Sequence, residues 1–494
     1  MPDDNGNVLA SIDPRAATRI HLVGVAGTGM GSFAGMLKAK GYVVTGSDEK
    51  VYPPMSDMLA AWGVEVMTPY SPANLDAAKP DLVIIGNVIR RVNPEATAVR
   101  ERGIPQMSFP AAFGSLVLEG KHSVVVAGTH GKTTTSALLA HVLVSAGTDP
   151  TFLVGGVTLN YAGNFRNGNG PFVVVEGDEY DTAYFDKGPK FLHYRAKSAM
   201  LTSVEFDHAD IYRDMAHYES AYEKFAATIP EDGFLAVSAA YPNAVAIAQR
   251  SAKCYVATYA AHGNADYTTE ELSFGPEGAR FVIREPRGHA GRFLLPMSGH
   301  HNVENAVGVY AVCRSLGLKA DDIREGFASF SGVKRRQEIR GEPAGVLVID
   351  DFAHHPTAVR ETITAIRLRY PDRRLWAVFE PRSNTSRRNI HQDEYAHAFS
   401  GAARATLRVP EPHDKVPVSE QLDINAVVSA LNEQGIEADA SPDVEVLVQR
   451  ILDDTREGDV LLVMSNGAFG GFIPAVLEGL EKRKTERPDD RRTG

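Results

Sequence analysis

Cysteine is scarce in this chain of 494 residues, which has only Cys254 and Cys313. The two lie far apart, and neither belongs to a CxxC pattern or to an array of cysteines and histidines. A disulfide framework and a structural zinc site are therefore excluded as the basis of the fold. Reduced thiols are typical of proteins that work in the cytoplasm.

Long apolar runs and an excess of positive charge are also missing. No apolar run reaches the roughly 20 residues of a membrane-spanning helix, and the polar N-terminal stretch MPDDNGNVLASIDPR has no apolar segment like that of a secretory signal. The net charge of −11 argues against a nucleic-acid partner, because phosphate contacts need concentrated lysine and arginine. We expect a cytoplasmic protein that binds small molecules without membrane insertion. The sequence leaves its oligomeric state open.

The composition is that of an ordinary globular protein, with 44% hydrophobic and 23% charged residues. At roughly 100–200 residues per domain, the length suggests about three domains. Apolar segments typical of buried strands alternate with helical segments in three successive parts of the chain. This alternation is typical of α/β domains with parallel sheets. The predicted boundaries are a flexible extension at 1–17, an N-terminal Rossmann-like domain at 18–115, a central P-loop domain with a mainly parallel sheet at 116–333, a C-terminal Rossmann-like domain at 334–480 and a disordered tail at 481–494.

The strongest single motif is a phosphate loop that follows the predicted strand 123–127 and opens a helix. Backbone N–H groups of such a loop point inward, and the helix N-terminus adds positive potential. Lys132 would reach the β- and γ-phosphates of ATP, and the Thr133 hydroxyl would bind Mg²⁺. The loop is two residues shorter than the general pattern, which would place its first glycine at Val126. The predicted ATP-binding loop consists of Gly128, Thr129, His130, Gly131, Lys132, Thr133 and Thr134.

Two acidic segments, EGDEYD from Glu176 and EFDHAD from Glu205, follow predicted strands of the same domain. Ligands of α/β proteins bind at the carboxyl ends of strands. Glu176 is a hard oxygen ligand that suits Mg²⁺, and a neutral imidazole at His208 would complete a second metal site. The predicted metal ligands are Thr133, Glu176 and His208, and the predicted catalytic residues are Lys132, Glu176 and His208. Loop solvation and helix capping explain the other acids equally well, namely Asp178, Glu179, Asp181 and Asp210.

A second glycine-rich loop, GVAGTGMG from Gly24 to Gly31, follows the first predicted strand. It resembles the dinucleotide-binding fingerprint, with Asp48 at the end of the next strand, although Ala26 replaces its second glycine. The pattern indicates a pyrophosphate at a helix N-terminus. Asp48 would accept hydrogen bonds from a ribose or a base. An NAD-dependent oxidoreductase remains an alternative at this point.

Six motifs in order resemble those of the Mur ligase family: AGTHGKTTT, EGDEYD, VEFDHAD, GHHNVENAVGVYA, GVKRRQE and DDFAHHPT. The resemblance extends from about Ile20 to Leu480. Within the family, VTGSDEKVYPPM, GDEYDTAYFDKGPKFLHYRA, EFDHADIY, FEPRSNT and MSNGAFGG are similar to members that attach L-alanyl-γ-D-glutamyl-meso-diaminopimelate to UDP-N-acetylmuramate. Members that attach L-alanine are the nearest alternative.

The resemblance implies an ATP-dependent amide-bond ligase of murein peptide recycling that works with two Mg²⁺ ions through an acyl phosphate. A protein nucleophile is not required, and no Ser/His/Asp or Cys/His constellation stands out. A nucleotide-binding protein without ligase activity is a further alternative. The implied site residues are Gly27, Thr28, Gly29, Met30 and Asp48 for the UDP-sugar, and His301, Asn302, Asn305, Arg336 and the pair Asp350 and Asp351 for ATP.

An acceptor site is predicted in the third domain, where Arg382, Ser383 and Asn384 follow the strand that ends at Phe379. An incoming acceptor could dock at this carboxyl edge of the sheet. The planar guanidinium of arginine can donate two parallel hydrogen bonds to one carboxylate. The tripeptide carries several free carboxylates. The alternative is that Arg382 caps a loop or pairs with Glu380.

Overall fold

Three mainly parallel sheets, each built from a successive part of the chain, form the framework of the structure. The computed structural model describes residues 13–161, 163–207, 211–410 and 416–486. None of the helices in these ranges combines the length and the apolar character that crossing a membrane requires.

The N-terminal unit is a five-stranded sheet with all strands parallel. The strand order β3-β2-β1-β4-β5 reverses direction between β1 and β4, which is where α/β sheets of this kind bind ligands. The elements are β1 (Arg19–Val23), α1 (Thr28–Ala39), β2 (Val43–Ser47), α2 (Met55–Ala61), β3 (Glu65–Met67), α3 (Pro72–Ala78), β4 (Leu82–Ile85), α4 (Pro94–Glu101), β5 (Gln106–Ser108) and α5 (Phe109–Leu116).

The middle unit has a seven-stranded sheet in the order β14-β13-β12-β6-β9-β7-β8, in which only β7 and β8 pair antiparallel. An antiparallel sheet of β15, β16 and β17 and a hairpin of β10 and β11 are added to it. The elements are β6 (His122–Ala127), α6 (Lys132–Ser145), β7 (Thr151–Leu153), β8 (Phe165–Arg166), β9 (Phe172–Gly177), β10 (Asp181–Ala183), β11 (Asp186–Pro189), β12 (Ser198–Leu201), α7 (Met215–Thr228), β13 (Phe234–Ser238), α8 (Pro242–Ser251), β14 (Tyr255–Tyr259), β15 (Thr268–Gly275), β16 (Gly278–Glu285), β17 (Gly288–Leu295), α9 (His300–Ser315) and α10 (Ala320–Ala328).

The C-terminal unit is a six-stranded sheet in the order β18-β19-β23-β20-β21-β22, in which only β18 runs antiparallel. The elements are β18 (Glu338–Gly341), β19 (Leu347–Asp351), α11 (Pro356–Arg369), β20 (Leu375–Glu380), α12 (Gln392–Ala398), β21 (Arg404–Arg408), α13 (Ile424–Glu433), β22 (Glu437–Ser441), α14 (Val444–Asp454), β23 (Val460–Ser465) and α15 (Phe472–Glu486). Short 3₁₀ turns lie at Pro14–Ala16, Lys190–His193, Pro343–Gly345, Asn389–His391, Val418–Glu420 and Phe469–Gly471.

The predicted fold class is confirmed, and β6 (His122–Ala127) begins one residue before the predicted strand 123–127. One expected boundary is wrong, because α15 continues to Glu486 beyond the predicted start of the tail at 481. Lysine, arginine and glutamate favour helix despite their polarity, and Lys482 pairs with Glu478 one turn earlier. At the other end, Asp13 caps the short 3₁₀ turn at Pro14–Ala16 within the predicted extension.

A buried polar cluster ties α4 to the sheet of the N-terminal unit. The His21 Nε2 and Glu95 Oε1 atoms are 2.6 Å apart, and both side chains are fully buried. Glu95 also accepts hydrogen bonds from the Ser47 hydroxyl at 2.9 Å, the Asn74 amide at 3.1 Å and the Ser71 N–H at 3.3 Å. The carboxylate thus connects β1, β2 and the start of α3 through one side chain.

Glu95→Ala should destabilise the N-terminal unit by about 3–5 kcal/mol, because removing one partner of a buried pair leaves the others unsatisfied. Hydrogen exchange of the amides of β1 and β4 measures this, since exchange reports the opening of each unit separately. Glu101→Ala, at an exposed position of the same helix, is the control and should change stability by less than about 0.5 kcal/mol. Equal protection in both variants would contradict the structural role of Glu95.

Candidate active site

One cleft with a volume of about 1180 Å³ is lined by all three units. The ends of parallel strands, where the sheets meet, carry the loops that form its walls. Side chains predicted for three different ligands therefore share a single space. Among the predicted residues that line it are Thr28, Gly29, Thr129, His130, Gly131, Lys132, Thr133, Glu176, Arg336, Arg382, Ser383 and Asn384.

The phosphate loop depends on two glycines. Gly128 has a φ of +133°, and a Cβ there would lie 2.2 Å from Thr202 Oγ1 and 2.8 Å from the Ser203 nitrogen. Gly131, the N-cap of α6, has a φ of +78°, and its Cβ would lie 2.8 Å from Asn305 Nδ2. Both the conformation and the space at these positions require glycine. The loop is therefore held between the segment after β12 and the start of α9.

Lys132 lies at the mouth of this loop, where its ammonium group is already neutralised by protein groups. Its Nζ donates to the carbonyls of Gly128 at 2.6 Å and Thr129 at 3.1 Å, and lies 3.0 Å from the buried Glu179 carboxylate. Burial favours the neutral amine, but Glu179 and neighbouring carboxylates outweigh it and raise the pKa of Lys132. The side chain therefore stays charged in the site and can meet an anionic phosphate.

Thr133 and Glu176 form the oxygen pair that was predicted to hold a metal ion. The Thr133 hydroxyl donates to Glu176 Oε1 at 3.0 Å, and the Gly155 N–H donates to Oε2 at 2.7 Å. Burial raises the pKa of Glu176, against the opposing effect of Lys132. Adjacent oxygens of an octahedral Mg²⁺ lie about 3 Å apart, so the pair has the spacing and chemistry that Mg²⁺ needs. His208, the third predicted ligand, lies outside the described residues.

A second, smaller pocket of about 230 Å³ adjoins the phosphate loop and is lined by both the middle and the C-terminal units. His301, Asn302 and Asn305 at the start of α9 line it, together with Thr134 and Arg336. This puts all five of these predicted ATP-binding residues around one space beside the loop.

The two candidate aspartates of β19 differ in their surroundings. Asp351 lines the smaller pocket, and its carboxylate accepts hydrogen bonds from the Gln337 and Ala353 N–H groups, both at 2.8 Å. Asp350 instead pairs with Arg340 at 3.0 Å. Successive residues of a strand point to opposite faces, so only one of the two can face the pocket.

The N-terminal glycine loop contributes to the cleft through its middle residues. Thr28 and Gly29 line the cleft, and Gly27 is the N-cap of α1. Met30 is 6% exposed and packs into the hydrophobic core. Of the predicted UDP-sugar residues in this loop, Thr28 and Gly29 thus line the cleft, whereas Gly27 and Met30 belong to the structure behind it.

Asp48 holds the backbone of the glycine loop by a hydrogen bond. Its Oδ2 accepts a hydrogen bond from the Ala26 N–H at 2.8 Å, and its Oδ1 accepts one from the Tyr70 hydroxyl at 3.0 Å. The carboxylate thus fixes the backbone of the glycine loop, in addition to any contact that it makes with a ligand.

Arg382 is exposed at the edge of the cleft, and no acidic side chain in the described part of the chain pairs with it. Glu380 pairs with Arg408 and accepts a hydrogen bond from Ser465, so the predicted alternative pair of Arg382 and Glu380 does not form. The Arg382 side chain passes directly over Gly467, where any Cβ would collide with it.

Several residues of the cleft were not predicted from the sequence. His354 and His355 line it immediately after β19, and Lys190 forms a 2.7 Å ion pair with Asp178. Although burial opposes it, Lys190 lowers the pKa of Asp178. The histidine doublet at the carboxyl end of a strand was the available signal, but within DDFAHHPT only the aspartates were assigned.

Gly128→Ala should abolish nucleotide binding, because a Cβ there overlaps the Thr202 side chain and the Ser203 backbone. The binding of a fluorescent ATP analogue measures the effect. Gly147→Ala is the matched control, since Gly147 also has a positive φ, +72°, but nothing within 4 Å of its Cβ. Equal affinity in the two variants would mean that the space at Gly128 does not matter.

Models of three Mur ligase domains match the chain. They are the "Mur ligase family, catalytic domain" at residues 19–120, the "Mur ligase middle domain" at 126–313 and the "Mur ligase, glutamate ligase domain" at 335–467. The matched segments correspond to the three units of the structure.

Individual proteins are similar along nearly the whole chain. The UDP-N-acetylmuramate–L-alanyl-γ-D-glutamyl-meso-2,6-diaminoheptandioate ligase of Escherichia coli K12 is 36% identical over 94% of this chain and 99% of its own length. The structure of a murein peptide ligase from Psychrobacter arcticus 273-4 matches with a TM-score of 0.69, 32% identity and coverage of 94% and 98%. That of the UDP-N-acetylmuramate-alanine ligase from Thermotoga maritima matches with a TM-score of 0.76, 26% identity and coverage of 95% and 100%.

The phosphate loop, the oxygen pair beside it and the cleft shared by three units thus occur in a chain that resembles Mur ligases over nearly its whole length. These enzymes use ATP, typically with Mg²⁺, to form peptide bonds. The chain belongs to the Mur ligase family.

Proposed function

We propose that this protein joins L-alanyl-γ-D-glutamyl-meso-diaminopimelate to UDP-N-acetylmuramate, with ATP as the energy source, in the cytoplasmic recycling of murein peptides. The observation that carries the proposal is the cleft itself, which brings the glycine loop of the N-terminal unit, the phosphate loop and the Arg382 loop to one space. Relatives that share more than a third of their residues with this chain are named for this reaction.

The reaction needs an activated carboxylate, because the charge of a free carboxylate is delocalised and makes it a poor electrophile. The muramoyl carboxylate attacks the γ-phosphate, ADP leaves, and an acyl phosphate remains. Lys132 and the N-terminus of α6 stabilise the charge on the transferring phosphoryl group. Mg²⁺ held by Thr133 and Glu176 would neutralise further phosphate charge, and we assign His208 to a second ion.

ATP extends from the phosphate loop into the smaller pocket. His301, Asn302 and Asn305 would surround the adenine and the metal, and Asp351 faces the same pocket. We therefore assign the ribose hydroxyls to Asp351 rather than to Asp350, which pairs with Arg340 on the other face of β19. Arg336, whose guanidinium lies 3.4 Å from Thr133 Oγ1, brings the C-terminal unit to the phosphates.

The UDP pyrophosphate would lie at the N-terminus of α1, beside Thr28 and Gly29. The other two predicted UDP-sugar residues of this loop, Gly27 and Met30, would shape it, and Asp48 holds it through the Ala26 N–H. The muramoyl group would then point into the cleft towards the phosphate loop.

The acceptor is proposed to dock at Arg382, Ser383 and Asn384. Arg382 has a positive charge that no acidic side chain in the described ranges neutralises, and it lies on the cleft. A peptide with several carboxylates matches such a group better than L-alanine, which has one. Water excluded by closure of the three units would otherwise hydrolyse the acyl phosphate.

The acceptor and the mechanism are tested together in one assay. Phosphate release should require both UDP-N-acetylmuramate and the tripeptide, and oxygen-18 in the muramoyl carboxylate should appear in the released phosphate. Efficient use of free L-alanine in place of the tripeptide would establish the alanine-ligase alternative instead. Release of unlabelled phosphate would reject the acyl phosphate.

Arg382→Lys should raise the KM for the tripeptide about tenfold, because lysine keeps the charge but loses the two-point contact with a carboxylate. The KM values for ATP and UDP-N-acetylmuramate should stay nearly constant in steady-state kinetics. Arg388→Lys is the control, because Arg388 pairs with Glu420 and does not line the cleft. An unchanged tripeptide KM in Arg382→Lys would remove this arginine from the acceptor site.

A further inference from the structure

A buried histidine at the N-terminus of α11 faces the cleft with one ring nitrogen unsatisfied. His355 is the N-cap of this helix and is 7% exposed. Its Nδ1 accepts a hydrogen bond from the Thr357 N–H at 3.3 Å. Its Nε2 is buried and has no hydrogen-bond partner among the described residues. A buried polar atom without a partner costs about 1–3 kcal/mol, and a ligand group that accepted its hydrogen bond would offset this cost.

The contacts of the ring define which nitrogen carries the proton. An Nδ1 that accepts from a backbone N–H has no proton of its own, so the neutral ring carries its proton on Nε2. Burial, together with His130 and His391 and against the opposing effect of Asp207, lowers the pKa of His355 to about 2. The ring is therefore neutral at the pH of the cytoplasm, and its Nε2–H is a donor without an acceptor.

His355 lies beside the phosphate loop. Its ring centroid lies 4.7 Å from that of His130 in the phosphate loop, and the side chain lines the same cleft as Lys132 and Arg382. The N-terminus of the 14-residue helix α11 adds positive potential at this point. The ring therefore packs against the phosphate loop and lines the cleft that the proposed acceptor loop also lines.

We propose that His355 is a catalytic residue whose Nε2–H donates a hydrogen bond to the oxyanion formed when the acceptor amine attacks the acyl phosphate. The nitrogen forms a bond to the acyl carbon, and the carbonyl π electrons move to oxygen. The intermediate then re-forms the carbonyl and breaks the bond between the acyl carbon and the phosphate oxygen. Phosphate leaves as HPO₄²⁻ with the proton that the nitrogen loses. This proposal deepens the proposed function and rests on its acyl phosphate.

A neutral imidazole suits this task better than a charged one. It donates a hydrogen bond without placing a further positive charge beside Lys132 and the phosphates, and its Nε2–H is too weakly acidic to protonate the amine. A donor that is fixed before the reaction costs no reorganisation when the negative charge develops. The Thr357 N–H fixes the ring by holding Nδ1.

Metal binding is the competing explanation, because His130, Glu205 and His355 offer ligand atoms that lie within 4.8 Å of one another. Two contacts argue against it. A metal-bound histidine normally donates a hydrogen bond from its other nitrogen, whereas Nδ1 of His355 accepts one. The Nε2 of His130 is also already in a 2.7 Å contact with Glu205. A hydrogen-bond donor agrees with the observed contacts of His355.

Two substitutions of His355 separate its donor from its capping role. The amide nitrogen of glutamine can reach the position of Nε2, whereas asparagine replaces only the Nδ1 end and is itself a good N-cap. His355→Asn should lower kcat about 10²–10³-fold, the usual effect of losing one oxyanion donor, with the KM values for ATP and UDP-N-acetylmuramate unchanged. His355→Gln should keep kcat within about tenfold of the wild type.

The opposite order, with His355→Asn active and His355→Gln impaired, would show that the side chain only caps α11 and would overturn the proposal. Asp443→Ala is a control for the loss of a cap in the same unit, because Asp443 caps α14 and does not line the cleft. It should lower thermal stability and leave kcat unchanged.

Equilibrium binding gives a readout besides turnover. A phosphinate that mimics the tetrahedral intermediate should bind to His355→Asn more weakly by about the factor lost in kcat, while the affinity for UDP-N-acetylmuramate stays constant. Unchanged phosphinate affinity would overturn the proposal. The oxyanion forms with either acceptor, so the comparison decides the role of His355 even if L-alanine replaces the tripeptide, and a failure of the proposed acceptor is distinguished from a failure of this inference.

Discussion

The phosphate loop passes so close to two neighbouring segments that two of its positions can hold only glycine. The geometry of the site depends on this constraint. Gly128 runs against the segment after β12, and Gly131 runs against Asn305 at the start of α9. Because neither position has space for a side chain, the loop, the Thr133 and Glu176 oxygen pair and the smaller pocket take up fixed positions relative to one another. Lys132 then begins α6 with its charge turned towards the loop carbonyls and Glu179.

The C-terminal unit completes this arrangement by contacts that cross between units. The Arg336 guanidinium lies 3.4 Å from Thr133 Oγ1, His301 lies 3.7 Å from Glu361, and His355 packs against His130. Polar contacts of this kind suit an interface that opens to admit substrates and closes around them. In the proposed mechanism, the same contacts place the neutral ring of His355 beside the phosphate loop, so that activation and amine attack would share one space.

Much of the fold and part of the site followed from local pattern. Strand runs such as Leu82–Ile85 are apolar because both faces of a parallel sheet are covered, and this makes them easy to recognise. The phosphate loop was recognised because its glycines, lysine and threonine are contiguous. The helical continuation to Glu486 was missed because a mixed-charge segment without apolar residues also resembles a disordered tail.

The α/β class, the phosphate loop and the resemblance to Mur ligases can be recognised from the amino-acid sequence alone, because these depend on residues that are neighbours along the chain. The folded structure is needed to see that Asp351 and not Asp350 lines the smaller pocket, and that Asp48 holds the glycine loop. It also shows that His355 lines the cleft and that its buried Nε2 has no hydrogen-bond partner among the described residues. These roles depend on which face of a strand is covered and on which units meet, and residues far apart in the chain set both.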